Sequence, residues 1–220
     1  TVGFNLKNKG LIEDVKVTGS VTGNNDVAGI VNKIDEDGKI ENVAFVGKIN
    51  SVGNNSTVGG IAGSNYMGFV NRAYVDATIT AQNANASMLV PFVTYMLNSW
   101  KSGTKARVTN SVAKGVLDVK NTRYVGGIVA KTWPYGAVQD NVTYAKVVKG
   151  QEIFASNDVD DEDGGPYIKD LFGVIGYSSA EDGTGRDTKS PKKLKHLTKE
   201  EADKRVEGYK ITADTFVSEP

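Results

Sequence analysis

A strand-like motif recurs along this chain about every thirty residues, and that repeat limits the folds open to it more than any other feature. Ile12-Glu13-Asp14-Val15-Lys16-Val17-Thr18-Gly19-Ser20-Val21 is matched by Ile40-Glu41-Asn42-Val43-Ala44-Phe45-Val46-Gly47-Lys48-Ile49. A third copy, Val70 to Ile79, carries Ala77 in place of the glycine, and a fourth runs from Val108 to Leu117. Val138 to Val148 reads as a degraded fifth with one extra residue. Each copy is followed by a glycine-rich motif: Val27-Ala28-Gly29-Ile30, Val58-Gly59-Gly60-Ile61, Val125-Gly126-Gly127-Ile128 and Leu171-Phe172-Gly173-Val174. In the third copy this stretch is read as Met88-Leu89-Val90-Pro91-Phe92, because 88 minus 58 and 70 minus 40 both equal 30.

The first motif alternates apolar and polar residues with period two, the mark of a strand buried on one face. Val and Ile dominate it, as a half-buried pleated surface favours. A thirty-residue unit with two short strands cannot close a core by itself. Stacked units can, each laying its apolar row on the next. Joins such as Gly53-Asn54-Asn55-Ser56 and Gly23-Asn24-Asn25-Asp26 supply residues that tolerate left-handed backbone. The expected fold is all-β: a parallel, right-handed β-helix of about five irregular coils, with loop or short-helix insertions and a C-terminal helix.

Two insertions interrupt the period. One falls near Val93 to Ala106 and includes Val93-Thr94-Tyr95-Met96-Leu97-Asn98-Ser99-Trp100, whose apolar residues have the spacing of a short helix. The other spans Gln151 to Lys169 and reads as an exposed loop. The solenoid is expected over residues 1–186 and a basic connector with a helix over 187–220. Thr198-Lys199-Glu200-Glu201 resembles a capping box, opening a helix that runs through Glu207 and stops near Gly208. This tail is read as an end cap or the start of a following module. With no initiator Met and no signal-peptide pattern, the chain reads as part of something larger.

Composition narrows the chemistry. The 26 Lys+Arg balance 26 Asp+Glu, which argues against a basic footprint for nucleic acid. The longest apolar-rich run, Met88 to Leu97, is interrupted by Pro91 and Thr94 and falls short of the roughly 18 residues a membrane span needs. Absent cysteines exclude disulfides and thiolate metal sites, and the single His196 excludes an HExxH pair. His196, flanked by Lys195 and Leu197, has no orienting acid or serine beside it and reads as exposed and ordinary. No catalytic residue is assigned.

The glycines fit no phosphate-binding fingerprint. Gly29, Gly60, Gly127 and Gly173 instead recur at one repeat position and read as turn or tight-packing residues. The acidic run offers a weak calcium candidate in Asp158, Asp160 and Glu162, although Asp163 and Lys169 stand where an EF-hand loop needs glycine and glutamate. The recurring Glu13 and Glu41, with Asp14 against Asn42, read as corner residues rather than a glycosidase pair. Tyr95, Trp100, Trp133 and Tyr135 sit in the insertion and a join, as candidate anchors for a partner or as surface packing.

The strings Val58-Gly59-Gly60-Ile61-Ala62-Gly63, Val125-Gly126-Gly127-Ile128-Val129 and Ile40-Glu41-Asn42-Val43-Ala44-Phe45 resemble the GLUG repeat. They are similar to the non-catalytic region of streptococcal immunoglobulin A proteases and related surface zinc metalloproteases, over roughly residues 10 to 178. The resemblance implies a secreted, cell-wall-associated parent that cleaves the hinge of human immunoglobulin A with zinc bound in another domain. For this segment it implies a monomeric scaffold that positions or gates the antibody, with the parent's other domains and immunoglobulin A as partners and no cofactor of its own. An adhesin repeat module and a small carbohydrate-active β-helix are the alternatives.

Overall fold

The period-two rows form strands that stack coil upon coil. The computed structural model describes residues 5–6, 10–35, 37–94, 106–121, 124–132, 137–148, 154–157, 175–176 and 195–211. The first strands are β1 (Asn5–Leu6), β2 (Leu11–Gly23), β3 (Val27–Ala28), β4 (Val31–Ile34), β5 (Lys39–Gly59), β6 (Ala62–Tyr66), β7 (Phe69–Ser87), β8 (Phe92–Thr94) and β9 (Arg107–Thr109). Then come β10 (Val112–Asn121), β11 (Val125–Gly126), β12 (Val129–Thr132), β13 (Ala137–Gln139), β14 (Val142–Thr143), β15 (Lys146–Val147), β16 (Phe154–Asn157), β17 (Ile175–Gly176) and β18 (Lys195–His196). The helix α1 (Lys199–Tyr209) follows, the one helix among the described residues.

Among the described residues every strand pair is parallel. A narrow sheet runs β1-β4-β6-β8-β12-β16, and a broad one is built on β2, β5, β7 and β10 with the short strands β3, β9, β11, β13, β14 and β15. Together they make a β-solenoid of about four turns. Equivalent residues lie directly above one another: Ile40, Val70, Val108 and Val138 form one inward column, and Ile49, Ile79, Leu117 and Val147 another. Thirty-four buried side chains, from Leu6 to Val147, join in one apolar cluster. Each fully buried Ile, Leu or Phe in it contributes about 1.5–3 kcal/mol, and neighbouring coils share that burial.

The recurring corner falls inside the first motif, whereas the Gly53 to Ser56 join lies within β5 and, of the two Asn-rich joins, only Asn55 is left-handed. Asp14, Asn42, Arg72, Asn110 and Asp140 occupy one position in five successive coils, and each has φ between 50° and 55°. Asn and Asp accept this left-handed conformation at little cost because their side chains bond locally. Where inward positions turn polar, partners are supplied. Ser111 Oγ accepts from Ala73 N at 3.0 Å, Asn141 Nδ2 donates to Val108 O at 2.9 Å, and Asn65 Oδ1 accepts from Gly68 N at 2.8 Å.

Four expectations need correction. Val112 pairs with Val142 and Leu117 with Val147, both 30 apart, so the fifth copy has no extra residue. Val58 pairs with Ala86, which places Met88 beside Gly60 rather than Val58. The two-residue slip arises between Ser51 and Ser56, where β5 bulges and the two hydroxyls meet at 2.7 Å across its base. The run proposed as a helix from Val93 begins inside β8, and 95–105 lie outside the described residues. Finally, α1 continues through Gly208 and stops at Lys210, whose φ of 54° closes the helix with its N–H donated to Glu207 O. Tyr209 and Ile211 pack on the solenoid and draw the helix past the glycine.

Gly60 has no positive φ, so its packing rather than its conformational freedom selects glycine. A Cβ there would sit 2.0 Å from Met88 O of the next coil. Gly29 is held in the same way, with Gly60 O at 2.2 Å from a Cβ.

Candidate functional site

Period-two alternation should place polar residues on the outer face between inward positions. In coils two to five it does not, at one column: Ala44, Tyr74, Val112 and Val142 stack in register, facing out, and all are buried. The first coil carries Lys16 at that position. Leu197, Ala202, Val206, Tyr209 and Ile211, from α1 and its flanks, cover the column. Four rungs about 4.8 Å apart span about 14 Å, and eleven helical residues rise about 16 Å. The helix therefore matches the stack, with its start near Val142 and its end near Ala44. It lies along the flank of the solenoid rather than over its end.

Polar groups fix the helix at three places. Tyr144 OH donates to Asp203 Oδ1 at 2.7 Å, Arg205 pairs with Asp140 at 2.8 Å, and Arg72 Nη2 donates to Lys210 O at 3.2 Å. The Lys199 and Tyr144 hydrogen bonds hold the Asp203 carboxyl below the usual carboxylate range. Burial pushes the Tyr209 phenol up to about 12. Lys114 Nζ sits 5.6 Å from the Tyr74 ring centre and 5.4 Å from that of Tyr144, bridging the two by cation–π attraction. Exposed ion pairs contribute about 0.2–1 kcal/mol each, so the buried apolar column carries most of the docking energy. At its first turn the helix has the capping box read from Thr198 and Glu201.

A second outward column is polar. Asn71 donates to Glu41 Oε1 at 3.2 Å and accepts from Thr109 Oγ1 at 3.1 Å and Asn110 Nδ2 at 3.0 Å. Asn42 donates to Asp14 at the corner beside it. The repeated acids Glu13, Glu41 and Asp14 thus stand on the surface among amides, hydroxyls and each other.

The residues singled out in the sequence are spread widely. Gly29, Gly60 and Gly127 are buried where the broad sheet turns into the narrow one. Gly173, the acidic run with Asp158, Asp160 and Glu162, and the aromatics Tyr95, Trp100, Trp133 and Tyr135 lie outside the described residues. The backbone of His196 lies in β18 opposite Gly176. Among the described residues, no group of three or more His, Cys, Asp or Glu could hold a metal ion. No helix among them is long and apolar enough to cross a membrane. Sequence reasoning missed the helix-docking column, although the triplets Val43-Ala44-Phe45 and Ala73-Tyr74-Val75 break the period-two pattern.

The fold and this flank define a parallel β-solenoid module with a docked helix. The chain fits a region of a streptococcal zinc metalloprotease. It is 50% identical over 217 residues to the zinc metalloprotease ZmpB of Streptococcus pneumoniae, covering 97% of this chain and 11% of ZmpB. It is 32% identical over 154 residues to ZmpC of the same organism, covering 66% of this chain and 8% of ZmpC. The chain thus spans about a tenth of the length of these curated relatives. No family model matches the chain, and no solved structure does.

Proposed function

We propose that this segment is a non-catalytic beam in a secreted or surface-exposed streptococcal zinc metalloprotease, holding the parent's other domains and its protein substrate at a fixed separation. The observation that carries this reading is the single apolar interior running from Leu6 to Val147, which couples every coil to the next and resists bending. Helix α1, fastened across four rungs, gives the beam a stiff lateral joint. Similarity to ZmpB over 97% of the chain supports the metalloprotease parent. The zinc and the hydrolytic groups belong, in this reading, to another part of that parent. The hinge of immunoglobulin A as substrate, the GLUG character of the repeat and cell-wall attachment rest on the Val58 to Gly63 and Val125 to Val129 strings.

Excision of the segment from the parent tests the proposal. Zinc content and hydrolysis of a short peptide should persist, while cleavage of intact immunoglobulin A falls at least tenfold. Loss of short-peptide hydrolysis with zinc retained would place catalytic groups in this segment. Unchanged cleavage of the intact antibody would remove the positioning role.

A further inference from the structure

Among the described residues, strand β2 is paired along one side only. Twelve of its thirteen residues pair with β5, whereas β5 and β7 are paired on both sides. It contains no proline, and its charged residues, Glu13, Asp14 and Lys16, are confined to its first half. Its side chains belong to the inward columns, yet they are uncovered. Ile12, Val17 and Val21 are only partly buried, where the equivalent Ile40, Phe45 and Ile49 are fully buried. Leu11 is 49% and Val15 36% exposed, against none for Val43, the partner of Val15.

The narrow sheet, in contrast, already extends one rung further at this end. Strand β1 pairs with β4, and β4 belongs to the same coil as β2. Every described coil passes from the broad sheet into the narrow one across a short corner: β3 to β4, β5 to β6 and β11 to β12. By the same connection, a chain segment entering β1 from the broad sheet would come from the rung below β2, on the side where Ile12, Val17 and Val21 are only partly buried.

We propose that β2 is an interior rung, and that its open side is occupied by a further coil of the same repeat formed by the protein's own chain leading into β1. Continuity with the existing ladder selects this occupant: each pair of long strands above β2 is parallel and in register on the same inward columns. The beam is thus longer than the coils described, and the apolar cluster continues through its lower end.

The test compares the 220-residue chain with a form extended N-terminally along its natural reading frame by about 35 residues, using hydrogen exchange resolved to single amides. The β2 amides that point away from β5 should exchange at least a hundredfold more slowly in the extended form. Val15→Lys should leave the melting temperature of the 220-residue chain unchanged and lower that of the extended form. Equal exchange in both forms would overturn the proposal. So would protection already present in the 220-residue chain that disappears on dilution, since a second copy of the chain would then be the occupant.

Discussion

Gly19 and Gly47 occupy the same repeat position in neighbouring coils and make a controlled comparison. Their φ angles, +136° and +152°, both lie where an L side chain is strained, which costs about 1–3 kcal/mol at either site. Their surroundings differ. A Cβ on Gly19 meets nothing within 4 Å, whereas one on Gly47 falls 1.9 Å from the Gly19 carbonyl oxygen of the coil beneath. Relieving that overlap means prising two rungs apart by more than 1 Å and losing one or two ladder hydrogen bonds, about 1–3 kcal/mol more. Gly19→Ala should therefore cost about 1–3 kcal/mol and Gly47→Ala about 2–6 kcal/mol. Urea unfolding with a common slope measures the difference. If Gly47→Ala costs no more than Gly19→Ala, the coils are not in the close contact described here.

The docked helix yields two further predictions. Arg72→Asn keeps a residue suited to the left-handed corner but removes the bond to Lys210 O, so amide protection in α1 should fall by about 1 kcal/mol while the solenoid amides hold; unchanged protection in α1 would show that Arg72 does not fasten it. The raised Tyr209 pKa means the folded state holds the phenolic proton more tightly than the unfolded chain does. Docking is therefore undiminished below pH 10 and weakens as pH rises from 10 toward 12. Tyr209→Phe should abolish that alkaline loss, followed by hydrogen exchange or circular dichroism of α1.

Much of this architecture was legible because a stacked repeat writes its geometry into the sequence. The inward columns and the corner at Asp14 and Asn42 sit where the repeat placed them, and the Thr198 capping box where its motif did; that the same corner continues through Arg72, Asn110 and Asp140 shows only in the backbone. The register of the glycine-rich motif was not legible, because equal spacing of 30 hid a bulge at Ser51 to Ser56 that only strand pairing exposes. The helix-docking column escaped notice for a different reason. Ala44, Tyr74, Val112 and Val142 are far apart in sequence, and their outward burial depends on a partner element about sixty to a hundred and seventy residues away. Period-two reasoning treats each strand alone and so assigns their face to water. The same argument explains Gly60, whose neighbour Met88 O belongs to another coil.

The central claim is that successive windings lie directly above one another on one shared interior. Because the chain has no cysteine, spin labels can be placed without background at Glu13 and Gln139, which stand four rungs apart at one surface position. Electron–electron dipolar spectroscopy should give a narrow distribution centred near four rung spacings, about 19 Å between backbone positions. A broad distribution, or a centre beyond about 30 Å, would contradict the stacked solenoid.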